Sequence, residues 1–264
     1  MKIHPTAIID SAAEVDNEAE IGPYTIISGE VKIGSGTIIG PHTTIEGVVS
    51  IGKNCRISQF VTVGAPPQDL KYKGGKTSVE IGDENVIREY VTIHRGTEAG
   101  GGTTRIGDKN FFMAYTHIAH DCRIGNHIIF ANGATLGGHV EVQDDVVISG
   151  LVAIQQFSRV GCYCFIGGKT GIVKDIPPYV IASGDRARLY GINKIGLKRH
   201  NFAPETIEAL KVVYRMVIRS SRTLVEAVKA AEREAPQIPE VRYFLDFIKD
   251  SKHGVPKTWR RESD

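Results

Sequence analysis

Every sixth residue from Ile3 to Val63 is isoleucine or valine, eleven positions in succession. The register resumes at Ile81, Ile87 and Ile93. One residue out of phase, it runs again through Ile106, Phe112, Ile118, Ile124, Phe130, Leu136, Val142, Ile148, Ile154, Val160, Ile166 and Ile172. A period of six is too short for a helical stripe and too regular for an ordinary strand. It suits short strands separated by corners and wound into a parallel β-helix. Each unit makes one flat face, with its large apolar residue inward. Twenty-six units at three faces per turn give nearly nine coils. That is roughly 40 Å of prism at ~4.8 Å per layer.

A second position supports the first. Four residues after each repeat apolar stands a small side chain, as at Ala19, Thr25, Thr37, Thr43, Cys55, Cys122, Ala134 and Cys164, with Asn110 and Ile128 as looser fits. The residue after the repeat apolar is often glycine, as at Gly22, Gly34, Gly40 and Gly125, which suits a corner. High glycine (29 of 264) with few aromatics (7%) fits a turn-rich core of small side chains. No apolar run reaches the ~18 residues of a membrane span. The start, Met-Lys-Ile-His-Pro, lacks the apolar stretch of an export signal. Four oddly spaced cysteines suit neither a disulfide framework nor a zinc knuckle. The expected setting is cytoplasmic, with reduced thiols.

Two interruptions, Ala65 to Ser78 and Arg95 to Arg105, are expected to be loops standing off the prism, where function tends to sit. Asp175-Ile176-Pro177-Pro178-Tyr179 ends the repeat, because proline cannot sustain the ladder. From Pro204 the period turns helical. Ile207, Leu210, Val213 and Val217 mark one apolar face, and further faces follow Leu224 and Val241. The expected organisation is a β-helix over 1–186, with insertions near 65–80 and 95–105, then a helical domain over 187–264. From Arg188 to Asp264 there are 16 Lys+Arg against 10 Asp+Glu, a local +6, against −4 for the rest. That excess suits an acidic partner. Nucleic acid is not expected, because no basic run is interleaved with stacking aromatics.

Acid–base chemistry at neutral pH points to histidine. His4, His42, His127 and His253 have no polar constellation around them. The segment Thr116-His117-Ile118-Ala119-His120-Asp121 differs. With Ile118 inward, His117 and His120 flank a corner, and Asp121 can fix the His120 tautomer. One coil is 18 residues, so a step from His120 lands on Gly138-His139. A further step from Gly137-Gly138 reaches Gln155-Gln156. A base beside a backbone N–H and a second imidazole suits acyl transfer, where one group takes a proton and others steady an oxyanion. The alternative is a zinc site from His94, His117 and His120, though the third histidine lacks a convincing spacing. A non-catalytic scaffold is the third reading.

Specific strings narrow the choice. They are Gly64-Ala65-Pro66-Pro67-Gln68-Asp69-Leu70-Lys71-Tyr72, Val91-Thr92-Ile93-His94-Arg95-Gly96-Thr97 and His117-Ile118-Ala119-His120-Asp121-Cys122. Gly138-His139-Val140, Gln156-Phe157, Pro177-Pro178-Tyr179 and Gly196-Leu197-Lys198-Arg199 join them. Over essentially its whole length the chain resembles the left-handed β-helix acyltransferases, and most closely the UDP-N-acetylglucosamine O-acyltransferases that begin lipid A synthesis. The resemblance implies left-handed coils and a homotrimer with sites between prisms. It implies acyl carrier protein as donor of a 3-hydroxyacyl group, a UDP-sugar as acceptor, and neither cofactor nor metal. It gives His120 the role of general base, Asp121 that of orienting it, and the Gly138 N–H that of holding the oxyanion. Gln68, Asp69, Lys71, His117, His139 and Gln156 would line the substrate sites, with Gln155 beside them. Asn193 and Arg199 match positions that hold the nucleotide, and Gly168 the position that closes the acyl pocket.

Three residues depart from the family pattern. Gln155 stands where a histidine is usual, Ile195 where a glutamate is usual, and His200 where a second arginine is usual. These leave two acceptors open, the 3-hydroxyl sugar and its 3-amino analogue. A metal-dependent β-helix hydratase of the carbonic anhydrase type is the rival from another class. An N-acyltransferase acting later in the same pathway would carry an extra N-terminal uridine-binding domain, for which a repeat beginning at Ile3 leaves no room.

Overall fold

The computed structural model describes residues 2–256. Twenty-six short strands from Lys2–Ile3 to Gly171–Ile172 follow the repeat unit for unit. Each pairs in parallel with the strand three units on, as Lys2 with Glu20 and His117 with Thr135. The result is a left-handed parallel β-helix with three faces. The first face ends as an 11-stranded sheet, the second has 9 strands and the third 8. The repeat residues form one continuous core: Ile27, Ile45, Ile93, Ile118 and Phe130 are all at most 1% exposed.

The small position does more than relieve crowding. The Thr25 hydroxyl donates to the Gly40 carbonyl, and Thr37 and Thr43 donate likewise to Gly52 and Ser58. The Cys55, Cys122 and Cys164 thiols donate to the carbonyls of Gly82, Gly137 and Pro177. Asn110, the looser fit, donates its Nδ2 to Gly125. A corner carbonyl buried without a donor would cost about 1–3 kcal/mol, so this column needs small donors as well as small volumes.

The outward residues give each face its own character. On the first face Val86, Phe111, Ile129, Val147, Phe165 and Ile181 follow one another in register. The third face instead shows Glu80, Arg105, Arg123, Glu141 and Arg159. The corners differ too. Between the first and second faces, the rings of Tyr24, His42, Phe60, Tyr90 and Tyr115 stack in successive coils, with centroids 4.9–5.2 Å apart. We call this the ring corner. The corner between the second and third faces carries His120, Asp121 and His139, and is the histidine corner. At the corner between the third and first faces, Asp83, Asp108, Asn126 and Asp144 side chains accept backbone N–H groups from the coil before, forming the carboxylate corner.

Both insertions leave the coil at the histidine corner. One spans 66–77, between the strands Thr62–Ala65 and Ser78–Ile81; the other spans 95–102, between Thr92–His94 and Thr103–Ile106. The first carries the fully exposed Leu70. The second does not stand off the prism as expected: Thr97 is buried and caps a short 3-10 turn at Glu98–Gly100.

The boundary expected at residue 187 cuts through a hairpin. Val180–Ser183 extends the first face, and Arg188–Ile192 returns antiparallel to it. Leu189 and Ile192 are buried while Arg188 and Tyr190 are exposed, so a strand's alternation persists there. Helices begin only at Lys194, with α1 (Lys194–Arg199), α2 (Pro204–Ile218), α3 (Leu224–Glu234) and α4 (Pro239–Lys249). Proline opens α2 and α4, where a missing N–H costs nothing. A reciprocal Thr223–Glu226 cap opens α3. The expected apolar faces, Ile207–Leu210–Val213–Val217 and Val241–Phe244–Phe247–Ile248, are buried. Buried Asp175 ties this cap to the coil, its carboxylate accepting the Arg159 N–H and the Ser251 hydroxyl. The end of the expected helical domain, 257–264, lies outside the described residues.

Candidate active site

Coil stacking brings the histidine corner together. The His139 N–H donates to the His120 carbonyl one coil below, and their rings meet edge to face at 5.2 Å. A Cβ on Gly138 would lie 2.4 Å from His120 Cε1 and 2.6 Å from Nε2. The Gly138 backbone therefore stands directly against the edge of the ring that carries Nε2. A side chain there would displace the imidazole.

Asp121 adopts a left-handed backbone (φ +59°), which turns its carboxylate back under the ring. Oδ2 lies 2.8 Å from His120 Nδ1. An ionised carboxylate only accepts, so Nδ1 carries the proton and Nε2 is left as the basic atom. The Asp121 side chain is wholly buried, while that of His120 keeps 11% exposure. The carboxylate is held by the Thr97 N–H, at 3.0 and 3.1 Å from its two oxygens, and by the Thr97 hydroxyl at 2.7 Å.

His117 and His94 lie behind this pair. The His117 Nδ1 is 2.7 Å from the Thr92 hydroxyl, and its ring meets His94 edge to face at 4.8 Å. Burial, reinforced by His117 and His120 nearby, pushes His94 down to about 4. Burial also lowers His117. His139 is lowered as well, burial outweighing the attraction of Asp121. At neutral pH these three are uncharged imidazoles. Phe157, one coil above His139, stacks on it at 4.5 Å.

The zinc alternative drew on His94, His117 and His120. The ligand atoms that gather within 4.8 Å belong instead to His120, Asp121 and His139. The Asp121 carboxylate among them is already taken up by Thr97 and His120.

The other expected residues divide among three corners. Gln155 and Gln156 are exposed on the histidine corner above Gly138. Gln68, Asp69 and Lys71 come from the 66–77 loop at the same corner. Gly168 does not join them. It lies on the ring corner, in an apolar groove of about 650 Å³ lined by Tyr115, Gly133, Gly150, Leu151 and Lys169. Asn193 precedes α1 and Arg199 ends it, against the carboxylate corner. Asn193 caps the helix and donates to the Tyr163 carbonyl. His200 Nδ1 lies 3.7 Å from Asp145, and Ile195 is exposed. One prism therefore holds the base and the groove on different edges.

Three residues near the site carry no role in the sequence reading: Arg95, Thr97 and Tyr72. All sit inside the quoted strings, which were the only signal for them.

Comparison with known proteins bears on the family and the fold. The family model described as UDP N-acetylglucosamine O-acyltransferase, domain 2, matches residues 175–256. The bacterial transferase hexapeptide model matches 12–47, 30–65 and 103–138. A relative from Thermodesulfovibrio yellowstonii, named acyl-(acyl-carrier-protein)–UDP-N-acetylglucosamine O-acyltransferase, is 56% identical over 96% of this chain and 98% of its own length. One of the same name from Alkalilimnicola ehrlichii is 50% identical over the same shares. Among solved structures, LpxA from Acinetobacter baumannii superposes with a TM-score of 0.94 at 42% identity, covering 97% of this chain and 99% of that one.

Proposed function

The chain belongs to the acyl-(acyl-carrier-protein)–UDP-N-acetylglucosamine O-acyltransferases, and from that premise we propose how its own residues carry the reaction. The enzyme moves a 3-hydroxyacyl group from acyl carrier protein to the 3-position of UDP-N-acetylglucosamine, the first step of lipid A synthesis. His120 Nε2 takes the proton of the sugar 3-hydroxyl, and that oxygen attacks the thioester carbonyl. The Gly138 N–H holds the oxyanion of the tetrahedral intermediate. As the C–S bond breaks, the His120 imidazolium returns its proton to the leaving thiolate. Asp121 keeps the Nδ1–H tautomer throughout. His117, His139, Gln156, Gln68, Asp69 and Lys71 contact the substrates. Asn193 and Arg199 contact the nucleotide. The observation that carries this reading is the Asp121–His120–Gly138 alignment, with 2.8 Å at one nitrogen and backbone against the other.

We also propose that the working form is a homotrimer. His120 and Gly168 serve one donor yet lie on different edges of the prism, so a complete site takes the histidine corner of one copy and the ring corner of the next. The apolar row on the first face, from Val86 to Ile181, supplies a surface for that contact.

Carrier docking is assigned to a basic recess of about 910 Å³ where the last coil meets the α2–α3 turn. Lys174, Arg186, Arg188, Arg219 and Arg222 line it. Lys174 is 54 residues, three coils, above His120 on the same corner, roughly 14 Å at ~4.8 Å per coil. Transfer from acyl carrier protein is expected to slow as salt rises, since exposed charges are screened beyond ~10 Å at 0.1 M. Rates measured from low to high ionic strength at saturating sugar nucleotide test this. A flat profile removes the electrostatic docking.

Gly168 sets donor length in this reading. A Cβ there would meet nothing nearer than the Gly150 carbonyl oxygen at 3.4 Å, so a side chain fits without backbone strain. The wild-type enzyme is expected to prefer long 3-hydroxyacyl donors, and Gly168→Met to shift preference toward shorter ones. At ~0.8 kcal/mol per buried methylene, four carbons supply up to ~3 kcal/mol of discrimination. Mass spectrometry of products from a ladder of donors reads the shift. A profile that Gly168→Met leaves untouched would exclude Gly168 as the stop.

A further inference from the structure

The 95–102 insertion touches both halves of the site. Its Thr97 holds the Asp121 carboxylate through one N–H and one hydroxyl. The hydroxyl also accepts the Gly100 N–H at 3.1 Å. With that lone pair engaged and the carboxylate able only to accept, the Thr97 proton must point at Oδ2. Gly100 leaves the space the carboxylate needs: a Cβ there would stand 2.2 Å from Asp121 Cγ. On its other side the same insertion grips the 66–77 loop. Arg95 Nε donates to the Tyr72 hydroxyl at 3.1 Å, and Arg95 Nη1 to the Gly64 carbonyl at 3.1 Å. Tyr72 in turn donates to the Gly75 carbonyl, and the Glu98 carboxylate accepts the Gly75 N–H at 2.6 Å. Gly47 clears the way for Arg95, since a Cβ there would lie 2.6 Å from Nη1.

We propose that the 95–102 insertion is a positioning element joining the base to the acceptor loop, with Thr97 fixing the aim and basicity of His120 through Asp121, and Arg95 fixing the loop that carries Gln68, Asp69 and Lys71. This rests on His120 being the general base. The hydrogen bonds of the Thr97 N–H and hydroxyl run to Asp121 and Gly100, not to His120. Thr97 acts by drawing electron density from the one carboxylate that His120 faces at 2.8 Å. The other titratable groups around His120 are His139 at 5.2 Å between ring centroids, His117 and His94 behind it, and Asp69 facing His139. None of them contacts Thr97 in the hydrogen bonds above, so removing the Thr97 hydroxyl changes one partner of the pair alone.

Thr97→Val keeps the shape and the N–H but loses the hydroxyl. It is expected to lower kcat by about ten- to a hundredfold, the worth of a hydrogen bond to a buried charged group. The acceptor KM should change little. A carboxylate with one donor fewer attracts the imidazolium proton more strongly, so the acidic limb of the kcat/KM profile should move to higher pH. Thr97→Ser should restore both. Arg95→Gln should do the converse, raising the acceptor KM while leaving the acidic limb in place. Gly100→Ala reaches the same carboxylate by another route: its Cβ would displace Asp121 from His120, so kcat should fall and the limb should move the opposite way, to lower pH, which keeps the test open if Thr97→Val folds poorly. The proposal is overturned if folded Thr97→Val and Gly100→Ala keep the wild-type kcat and limb, or if Arg95→Gln moves the limb in either direction. Near-wild-type activity in His120→Ala would remove the base reading itself. An inactive His120→Ala beside a silent Thr97→Val removes only the coupling.

Discussion

His120→Ala should keep the coil and its assembly and lose about 10² to 10⁴-fold in kcat, the usual worth of a general base. The fold should survive because the side chain lies on an outer corner and packs into no core layer. The inward neighbours Ile118 and Cys122, both 0% exposed, are untouched. The loss should fall on kcat more than on KM, since the ring acts on a proton in flight and not on the sugar's grip. Thermal melting with steady-state kinetics on the purified variant gives both readings. Turnover close to wild type in a variant of unchanged melting temperature would contradict the assignment.

A larger loss is expected from a change far from the base. Ile129 and Phe165 face outward on the first face, two coils apart, at 37% and 38% exposure in the single chain. Ile129→Asp and Phe165→Asp would each bury one carboxylate per copy in an apolar contact, a cost of several kcal/mol per unpaired ion. Monomers are expected, and with them no transfer at all, because a single prism holds the histidine corner and the Gly168 groove on different edges. Light scattering beside activity decides it. A monomeric variant with wild-type turnover would mean one chain suffices.

The coil is legible in the sequence because, outside the coils that hold the two insertions, each inward residue answers to a neighbour 18 positions away, and the corner column answers likewise. Even Asn110 keeps its place once its role as a donor to a carbonyl is considered. Corner membership is also legible. Gly168 stands 48 positions beyond His120, two coils and two further faces, which already puts them on different edges. The 180–192 hairpin is not legible, because two short antiparallel strands carry too few alternations to stand out after a break in the repeat. Nor is the grip of Thr97 on Asp121. The 95–102 insertion has no period, so nothing in its spacing says whether it lifts away or folds down. Its glycines read as flexibility, whereas Gly100 is there because a carboxylate occupies the space of a side chain. The His120–Asp121 pair needed no such help, since adjacent residues at a tight corner are close by necessity.

The even spacing of the coils turns the ring corner into a graduated scale. Gly150 and Gly168 are equivalent marks on it, 18 residues apart, with Asn132 as the mark below. Two adjacent marks are bare, and any obstruction can be added only at a mark, roughly 5 Å from the next. Tuning by substitution is therefore discrete. A side chain at Gly150 in place of one at Gly168 would move the stop by a whole coil. Enzymes on this frame should differ in donor length by several carbons at a time, with intermediate lengths reached only through the size of the blocking side chain.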